Sequence, residues 1–282
     1  MATPTESTPI NAGFLIKVWV RFVYKVLSQR QVRRWRKDPG RVIFVSSKLC
    51  IKATPFTRLA EAHAMRFISQ NTSIPVPKVY SAFEHKGRTF ILMERIEGEM
   101  LSSGWVQRPD TSKARILSQL KAITEQLREI PPQDIRGVAD VTGGPVYDQR
   151  LPKKDLWGPF PTIDAFHKEL RFGHEIEDFN EHQLSHLPGL PDLVAFHRQP
   201  WPRPAFTHGD LSSLNILVRG DDVVGIIDWE TAGWMPPYWE YTSAWHVNPQ
   251  NMFWQEEIDK FITPHPQALE MEIIRRKYYG DF

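Results

Sequence analysis

The stretch whose reading decides the fold is Phe206-Thr-His-Gly-Asp-Leu-Ser-Ser-Leu-Asn-Ile-Leu217, together with its continuation Gly225-Ile-Ile-Asp-Trp-Glu230. Phosphoryl transfer needs a carboxylate beside the attacking hydroxyl and oxygen ligands for magnesium on the phosphates. Asp210 and Asn215 are five residues apart, the spacing at which a kinase catalytic loop carries its base and its magnesium-binding amide. Asp228 follows thirteen residues after Asn215, beyond an apolar strand, where the metal-binding aspartate of such a loop belongs.

A hairpin reading supports this set without any motif. Gly220-Asp221-Asp222 is a turn signal between two apolar segments within 216–227. A turn centred between Asp221 and Asp222 sets Leu217 opposite Ile226 and Asn215 opposite Asp228. Opposed residues have Cβ atoms roughly 5 Å apart, so one magnesium ion would reach both side chains. Either residue taken alone reads equally well as the flank of a surface hairpin. The ordered set of three is what favours chemistry.

Working towards the N-terminus, 42–45 and 49–52 read as short strands around Ser46-Ser47, and Pro55 ends the second. Thr57 is the predicted N-cap of a helix over 58–69. A kinase-type enzyme needs a strand lysine on the ATP phosphates, held by a helix glutamate. Lys52 closes an apolar strand nine residues before Glu61, which falls in the first turns of that helix. Lys48 is the rival, but it sits at the hairpin tip, where a solvated lysine is expected. Alternation along the strand puts Lys52 on the same face as a core-facing Cys50. Ile74-Pro-Val-Pro77 reads as a rigid link, and 79–83 and 89–93 as strands joined by a turn at Lys86-Gly87.

These residues carry a resemblance. His208-Gly209-Asp210-Leu211, Asn215-Ile216-Leu217 and Ile227-Asp228-Trp229-Glu230 resemble the signature of the aminoglycoside phosphotransferase family, and particularly its fungal uncharacterised branch. The resemblance covers about residues 40–245. It includes Glu61-Ala-His-Ala-Met-Arg-Phe67, Leu92-Met-Glu-Arg95 with Gly98, Gly158-Pro-Phe160 and Tyr238-Trp-Glu-Tyr241. It implies an α+β fold of the protein-kinase-like two-lobe type, with a small antiparallel-sheet N-lobe and a mainly helical C-lobe. It implies ATP and Mg2+ as cofactors, a small-molecule hydroxyl acceptor, Asp210 as catalytic base, and Asn215 and Asp228 as magnesium ligands. The link after strand 89–93 lies beside adenine in this family, which makes Glu94 and Ile96 expectations about backbone position rather than side chain. The expected division is a tail and basic helix over 1–40, an N-lobe over 41–97, and a C-lobe over 98–282 whose part before His208 builds the acceptor pocket.

The pattern also departs from that of protein kinases. No Gly-x-Gly-x-x-Gly precedes Lys52, so phosphate is expected on backbone N–H groups of the Ser46-Ser47 tip. Asp-Phe-Gly is replaced by Asp228-Trp229-Glu230, and no Ala-Pro-Glu segment follows. The alternative reading from another class is a catalytically silent nucleotide-binding module, for which the missing glycine loop is the argument. For the acceptor, the candidates are Glu230, two residues beyond Asp228 and on the same face if the strand continues, and Glu240, inside a cluster of aromatic residues. Each has a structural rival: a bond to catalytic-loop backbone for Glu230, and an arginine partner for Glu240.

Elsewhere, 113–130 has helical apolar spacing, 164–187 is weakly helical, 188–204 is a Pro-rich connection, and helices close the chain near 253–261 and 267–279. Residues 13–27 form an apolar helix with a cationic stripe at Lys17, Arg21 and Lys25, followed by the basic run Arg30, Arg33, Arg34, Arg36, Lys37. Such a helix either lies on an anionic membrane or docks on the back of its own N-lobe; the width of its apolar face favours docking. The net charge of +2 gives no reason to expect nucleic acid as a partner. The single Cys50 excludes an intramolecular disulfide and a Cys-based zinc site. With no basic leader ahead of an apolar run and no long uncharged apolar stretch, a cytoplasmic protein is the expectation.

Overall fold

The structure, a computed structural model, describes residues 8–29, 42–132, 134–152, 156–246 and 252–280. The expected basic run from Arg30 to Lys37 and the turn at Asp38-Pro39-Gly40 lie outside the described residues. The chain forms two compact units, residues 1–116 with 214–230 and residues 117–213 with 231–282.

The first unit is built on a four-stranded antiparallel sheet of order β1-β2-β4-β3, with β1 Val42–Phe44, β2 Leu49–Lys52, β3 Val79–His85 and β4 Arg88–Glu94. The β3–β4 turn is Lys86-Gly87, with φ of 51° and 70°. Positive φ at both central residues is the type I′ geometry that matches strand twist, and glycine supplies it at no steric cost. Ile51 and Lys52, neighbours on β2, face opposite sides of the sheet. On the Ile51 side, helix α1 (Phe14–Leu27) packs Val20, Ile16 and Tyr24 against Ile51, Phe83 and Phe90. The expected docking of this helix on the sheet is therefore present. On the Lys52 side comes α2 (Leu59–Asn71), which buries Leu59, Ala62, Met65 and Ile68.

Thr57 does not cap α2. The N-cap position belongs to Arg58, which makes no side-chain cap bond, while Thr57 Oγ1 accepts the N–H of Thr54 at 2.9 Å and closes the turn around Pro55.

A second sheet of the same unit has the order β5-β7-β8, with β5 Glu99–Met100, β7 Ile216–Arg219 and β8 Asp222–Ile226. The β7–β8 register differs from the expected one. Arg219 pairs with Asp222, a bulge follows, and Ile216 pairs with Ile226. The turn thus centres on Gly220-Asp221, and Gly220 has φ +60°. Asn215 consequently stands opposite Ile227, whose N–H donates to the Asn215 carbonyl at 2.9 Å, and Asp228 is one step off. The tip is pinned by the start of α3 (Asp110–Glu129): Ser112 Oγ lies 2.6 Å from Asp221 Oδ1, and Arg108 donates to the Gly220 carbonyl at 2.9 Å. Gly98 precedes β5 where a Cβ would sit 2.9 Å from Val224 Cγ2 and 3.1 Å from the Val218 carbonyl, so only glycine lets the strands close here.

The second unit is mainly helical. It holds α4 (Ile163–Leu170), the short α5 (Glu181–Ser185), α6 (Leu190–Arg198), α7 (Trp239–Trp245), α8 (Met252–Ile258) and α9 (Pro266–Tyr279). Two short strands pair antiparallel, β6 (Ala205–Thr207) with β9 (Gly233–Met235). Its core joins Phe166, Leu193, Met235, Tyr238, Trp239 and Met271. The weak helix expected over 164–187 breaks into α4, a 3-10 turn at Ile176–Asp178 and α5. The supposed Pro-rich connection contains α6, where Pro191 occupies the first turn and costs no hydrogen bond.

Candidate active site

Lys52 is the centre of the first unit's polar cluster. Its side chain is 5% exposed, and its Nζ donates to Glu61 Oε1 at 2.8 Å, Asp228 Oδ1 at 2.5 Å and Glu230 Oε2 at 3.2 Å. An ammonium has three donors, and all are used. Burial opposes its charge, but the three carboxylates outweigh that and hold its pKa above the ordinary lysine range. Burial pushes the Glu61 carboxyl up to about 7, with Lys52 pulling the other way. The carboxylate oxygens of Glu61, Asp228 and Glu230 lie within 4.8 Å of one another, and Glu61 Oε2 is buried with no hydrogen-bond partner.

The backbone makes this convergence. The β8 strand stops at Ile226, Asp228 takes φ +66°, and a 3-10 turn begins at Trp229. A left-handed aspartate is sterically costly and persists only where its surroundings enforce it. Here buried Trp229 anchors the bend, its Nε1 donating to the Ile226 carbonyl at 2.9 Å. The strand therefore does not continue as expected; the bend is what brings both Asp228 and Glu230 onto Lys52.

Beside the cluster is a cavity of about 680 Å³. Cys50 and Lys52 share its wall, as strand alternation predicts, and Glu94 at the end of β4 lines it with Arg95 and Ile96 beyond. Val42, Phe44, Met93, Leu217 and Ile227 make it a mostly apolar slot. The N–H groups of Glu94 and Arg95 are spent on the carbonyls of Lys78 and Lys48. Burial pushes the Cys50 thiol up to about 12, so it is an inert wall residue. Ser46 and Ser47 do not line this cavity. Ser46 Oγ accepts the N–H groups of Lys48 at 3.1 Å and Leu49 at 3.2 Å, so the tip's donors close their own turn. Lys48 is exposed.

The second unit holds the Asp210 loop. His208 is fully buried, and its Nδ1 accepts the Asp210 N–H at 3.1 Å, which leaves the ring proton on Nε2. Gly209 has φ +78°, and a Cβ there would sit 2.9 Å from the Thr231 carbonyl. Glu240 is buried, with one oxygen on the N–H of His208 at 2.6 Å and the other on that of Gly209 at 3.1 Å. Burial pushes its carboxyl up to about 7, against the pull of those two N–H groups. Arg150 closes the loop from the other side. It holds Asp148 in a bidentate pair, at 2.8 Å and 3.1 Å, and donates to the carbonyls of Gly209 and Ser243. Its Nη1 stands 3.9 Å from Asp210 Oδ1. The Asp210 side chain keeps 22% of its surface exposed, where its neighbours are covered.

A family model, the phosphotransferase enzyme family (APH), matches residues 25–270. The chain belongs to this family. A curated relative, "Clavilactone A biosynthesis cluster protein Y" of Ampulloclitocybe clavipes, is 26% identical over 195 residues, covering 61% of this chain and 48% of the relative. The chain thus spans about half the length of the curated relative it matches.

Among solved structures, a thermostable mutant of aminoglycoside phosphotransferase APH(4)-Ia in its apo form superposes with a TM-score of 0.59 at 16% identity, covering 83% of this chain and 79% of that one. The same enzyme in a ternary complex with AMP-PNP and hygromycin B gives 0.58 at 14% identity, covering 88% of each chain. APH(3'')-Id from Streptomyces rimosus, in complex with ADP and streptomycin, gives 0.52 at 16% identity, with 92% and 97% covered. These likenesses show the fold: α+β, of the kinase-like two-lobe type.

Sequence reasoning missed Arg150 and Asp148. They lie between the helices expected over 113–130 and 164–187, and an Asp-x-Arg there has no periodicity or fixed distance from Asp210 to single it out.

Proposed function

We propose that this chain transfers the γ-phosphate of ATP to a hydroxyl of a small molecule. The observation that carries the reading is the three-carboxylate grip on Lys52 at the wall of an apolar, linker-lined cavity. A buried ammonium clamped by a helix glutamate is what a kinase-type site needs on the ATP phosphates. Glu61 keeps Lys52 extended, and the ammonium exchanges Asp228 and Glu230 for phosphate oxygens. The slot would hold the adenine, with the Glu94 carbonyl as acceptor and the Ile96 N–H as the linker donor, since the N–H groups of Glu94 and Arg95 are occupied.

The donor set also fits a hard divalent cation. It offers carboxylate oxygens, one of them buried and unpartnered, and a net negative charge after Lys52 is counted. Asp228 and Asn215 would hold Mg2+, with Glu230 within reach, and the ion would neutralise charge building on the phosphates. Asp210 accepts the hydroxyl proton as the hydroxyl oxygen bonds to the γ-phosphorus, and the bond to the bridging oxygen breaks to release ADP. Arg150, Glu240 and His208 position the Asp210 backbone. Glu240 thus acts as a brace, both oxygens being on backbone, and Glu230 works at the nucleotide rather than the acceptor.

A small-molecule acceptor is supported by the family and by relatives whose complexes contain hygromycin B or streptomycin. The division into an N-lobe over 41–97 and a C-lobe over 98–282 belongs to the same reading, with the segment from Gly98 to His208 as the acceptor-binding insert. The test is a metabolite-library screen for magnesium-dependent ATP consumption. A compound that gains one phosphoryl group supports the reading. Binding of Mg-ATP with no turnover on any compound, and no slow hydrolysis, would point instead to the catalytically silent module.

A further inference from the structure

Helix α1 is fixed to the sheet by one face only. Val20 is fully buried, and the Tyr24 hydroxyl donates to the Ala53 carbonyl at 3.0 Å. The opposite face is apolar and open: Phe14 is 80% exposed, Leu15 82% and Phe22 65%, with Val18 and Trp19 between them. Phe14, Val18 and Phe22 are spaced four apart, and Leu15 and Trp19 continue the row one step around the helix, so the five form a single stripe. A contiguous exposed patch of this kind marks an interaction surface.

One edge of the stripe is cationic. Lys17, Arg21 and Lys25 are again four apart, and Arg21, Lys25 and Arg88 line one cleft beside Val18 and Phe22. Charge along the chain is segregated in the same sense. Residues 13–37 hold eight Lys and Arg and no acidic residue, leaving the rest of the chain 27 cationic against 33 acidic side chains. A helix with Trp and Phe on one face and Lys and Arg along its border has the composition of an interfacial helix on an anionic leaflet. A second copy is a poor occupant, because pairing two such faces would bring two cationic rows together.

We infer that α1 docks this protein on anionic lipid bilayers, Phe14, Leu15, Val18, Trp19 and Phe22 entering the headgroup boundary while Lys17, Arg21, Lys25 and Arg88 meet lipid phosphates. Among the described residues no helix is long and apolar enough to cross a membrane, so the contact is with the surface.

Flotation of the full chain with phosphatidylcholine vesicles, with and without phosphatidylserine, tests this. Partitioning onto the phosphatidylserine vesicles should exceed that onto phosphatidylcholine alone by roughly 10³-fold, the four cations each contributing about fivefold at the surface, and should fall as salt is raised. Phe14→Ser with Phe22→Ser should release the protein without changing its melting temperature, since both side chains are exposed. Lys17→Gln with Arg21→Gln and Lys25→Gln should do the same; if that triple variant melts lower, the phenylalanine pair decides. Failure to float with anionic vesicles, equal binding to neutral ones, or unchanged binding by the Phe14/Phe22 variant overturns the inference. So does a dimer in sedimentation that dissociates in the Phe14/Phe22 variant while vesicle binding is absent, because the face then belongs to a second copy.

Discussion

Lys52 and Glu61, nine residues apart in sequence, meet at 2.8 Å inside the first unit, and the same ammonium also holds Asp228 and Glu230. One cation facing three carboxylates leaves the cluster short of positive charge. A phosphate-bound divalent cation would supply it.

Lys52→Ala should weaken ATP binding and lower the melting temperature, while Lys48→Ala changes neither. Removing one partner of a buried ion pair leaves uncompensated charge and costs about 3–5 kcal/mol; Lys48 is exposed at the hairpin tip. Thermal melts with and without ATP decide, and the reverse ranking would contradict the assignment.

Asp228→Ala should abolish the magnesium dependence of ATP binding measured by calorimetry. Without Asp228 the ion would lose one of its two proposed ligands, and the other, Asn215, is a neutral amide where a hard cation wants carboxylate oxygen. Glu230→Gln should weaken Mg-ATP binding in the same assay and leave the acceptor KM unchanged, since Glu230 lies within reach of the ion that Asp228 would hold. A raised acceptor KM with unaltered nucleotide affinity would restore Glu230 to the acceptor site.

The Lys52–Glu61 pair was legible because it rests on two local rules, strand alternation and helix position; the Asp210–Asn215–Asp228 set rests on spacing alone. What escaped has a physical cause too. The β7–β8 register slipped by a bulge that no residue between Leu217 and Gly225 announces. Asp228 was expected in an extended strand and takes a left-handed turn, stabilised by the distant packing of Trp229. Arg150 and Glu240 converge on Gly209 from 59 residues before and 31 residues after it, and contacts of that separation leave no trace in spacing.

Arg150→Lys should lower kcat by about 10- to 100-fold with ATP affinity unchanged. Lysine keeps the charge but loses the planar fork that pairs with Asp148 and reaches the Gly209 carbonyl together. Steady-state kinetics with ATP titrated provide the check; a change confined to KM for ATP would mean that Arg150 does not position the Asp210 loop.

Glu240 gives a pH signature. Its folded pKa of about 7 lies above its ordinary value of 4.5, so between those values the folded protein holds a proton that the unfolded chain has released. Any stability linked to that proton is present below about pH 4.5 and is lost as pH rises towards 7, by about 3 kcal/mol at most. The melting temperature of the wild type relative to Glu240→Gln should therefore fall between pH 5 and pH 8. A difference that is flat or rises across that range would show that Glu240 is ionised throughout.

The most direct test of the account is the turnover of Mg-ATP by Asp210→Asn beside the wild type. The amide keeps the shape of the carboxylate and cannot accept the hydroxyl proton, and loss of a general base costs about 10²–10⁴-fold. The predicted result is a fall of that size with ATP affinity and melting temperature unchanged. Turnover equal to the wild type, with chemistry shown to be rate-limiting, would contradict it.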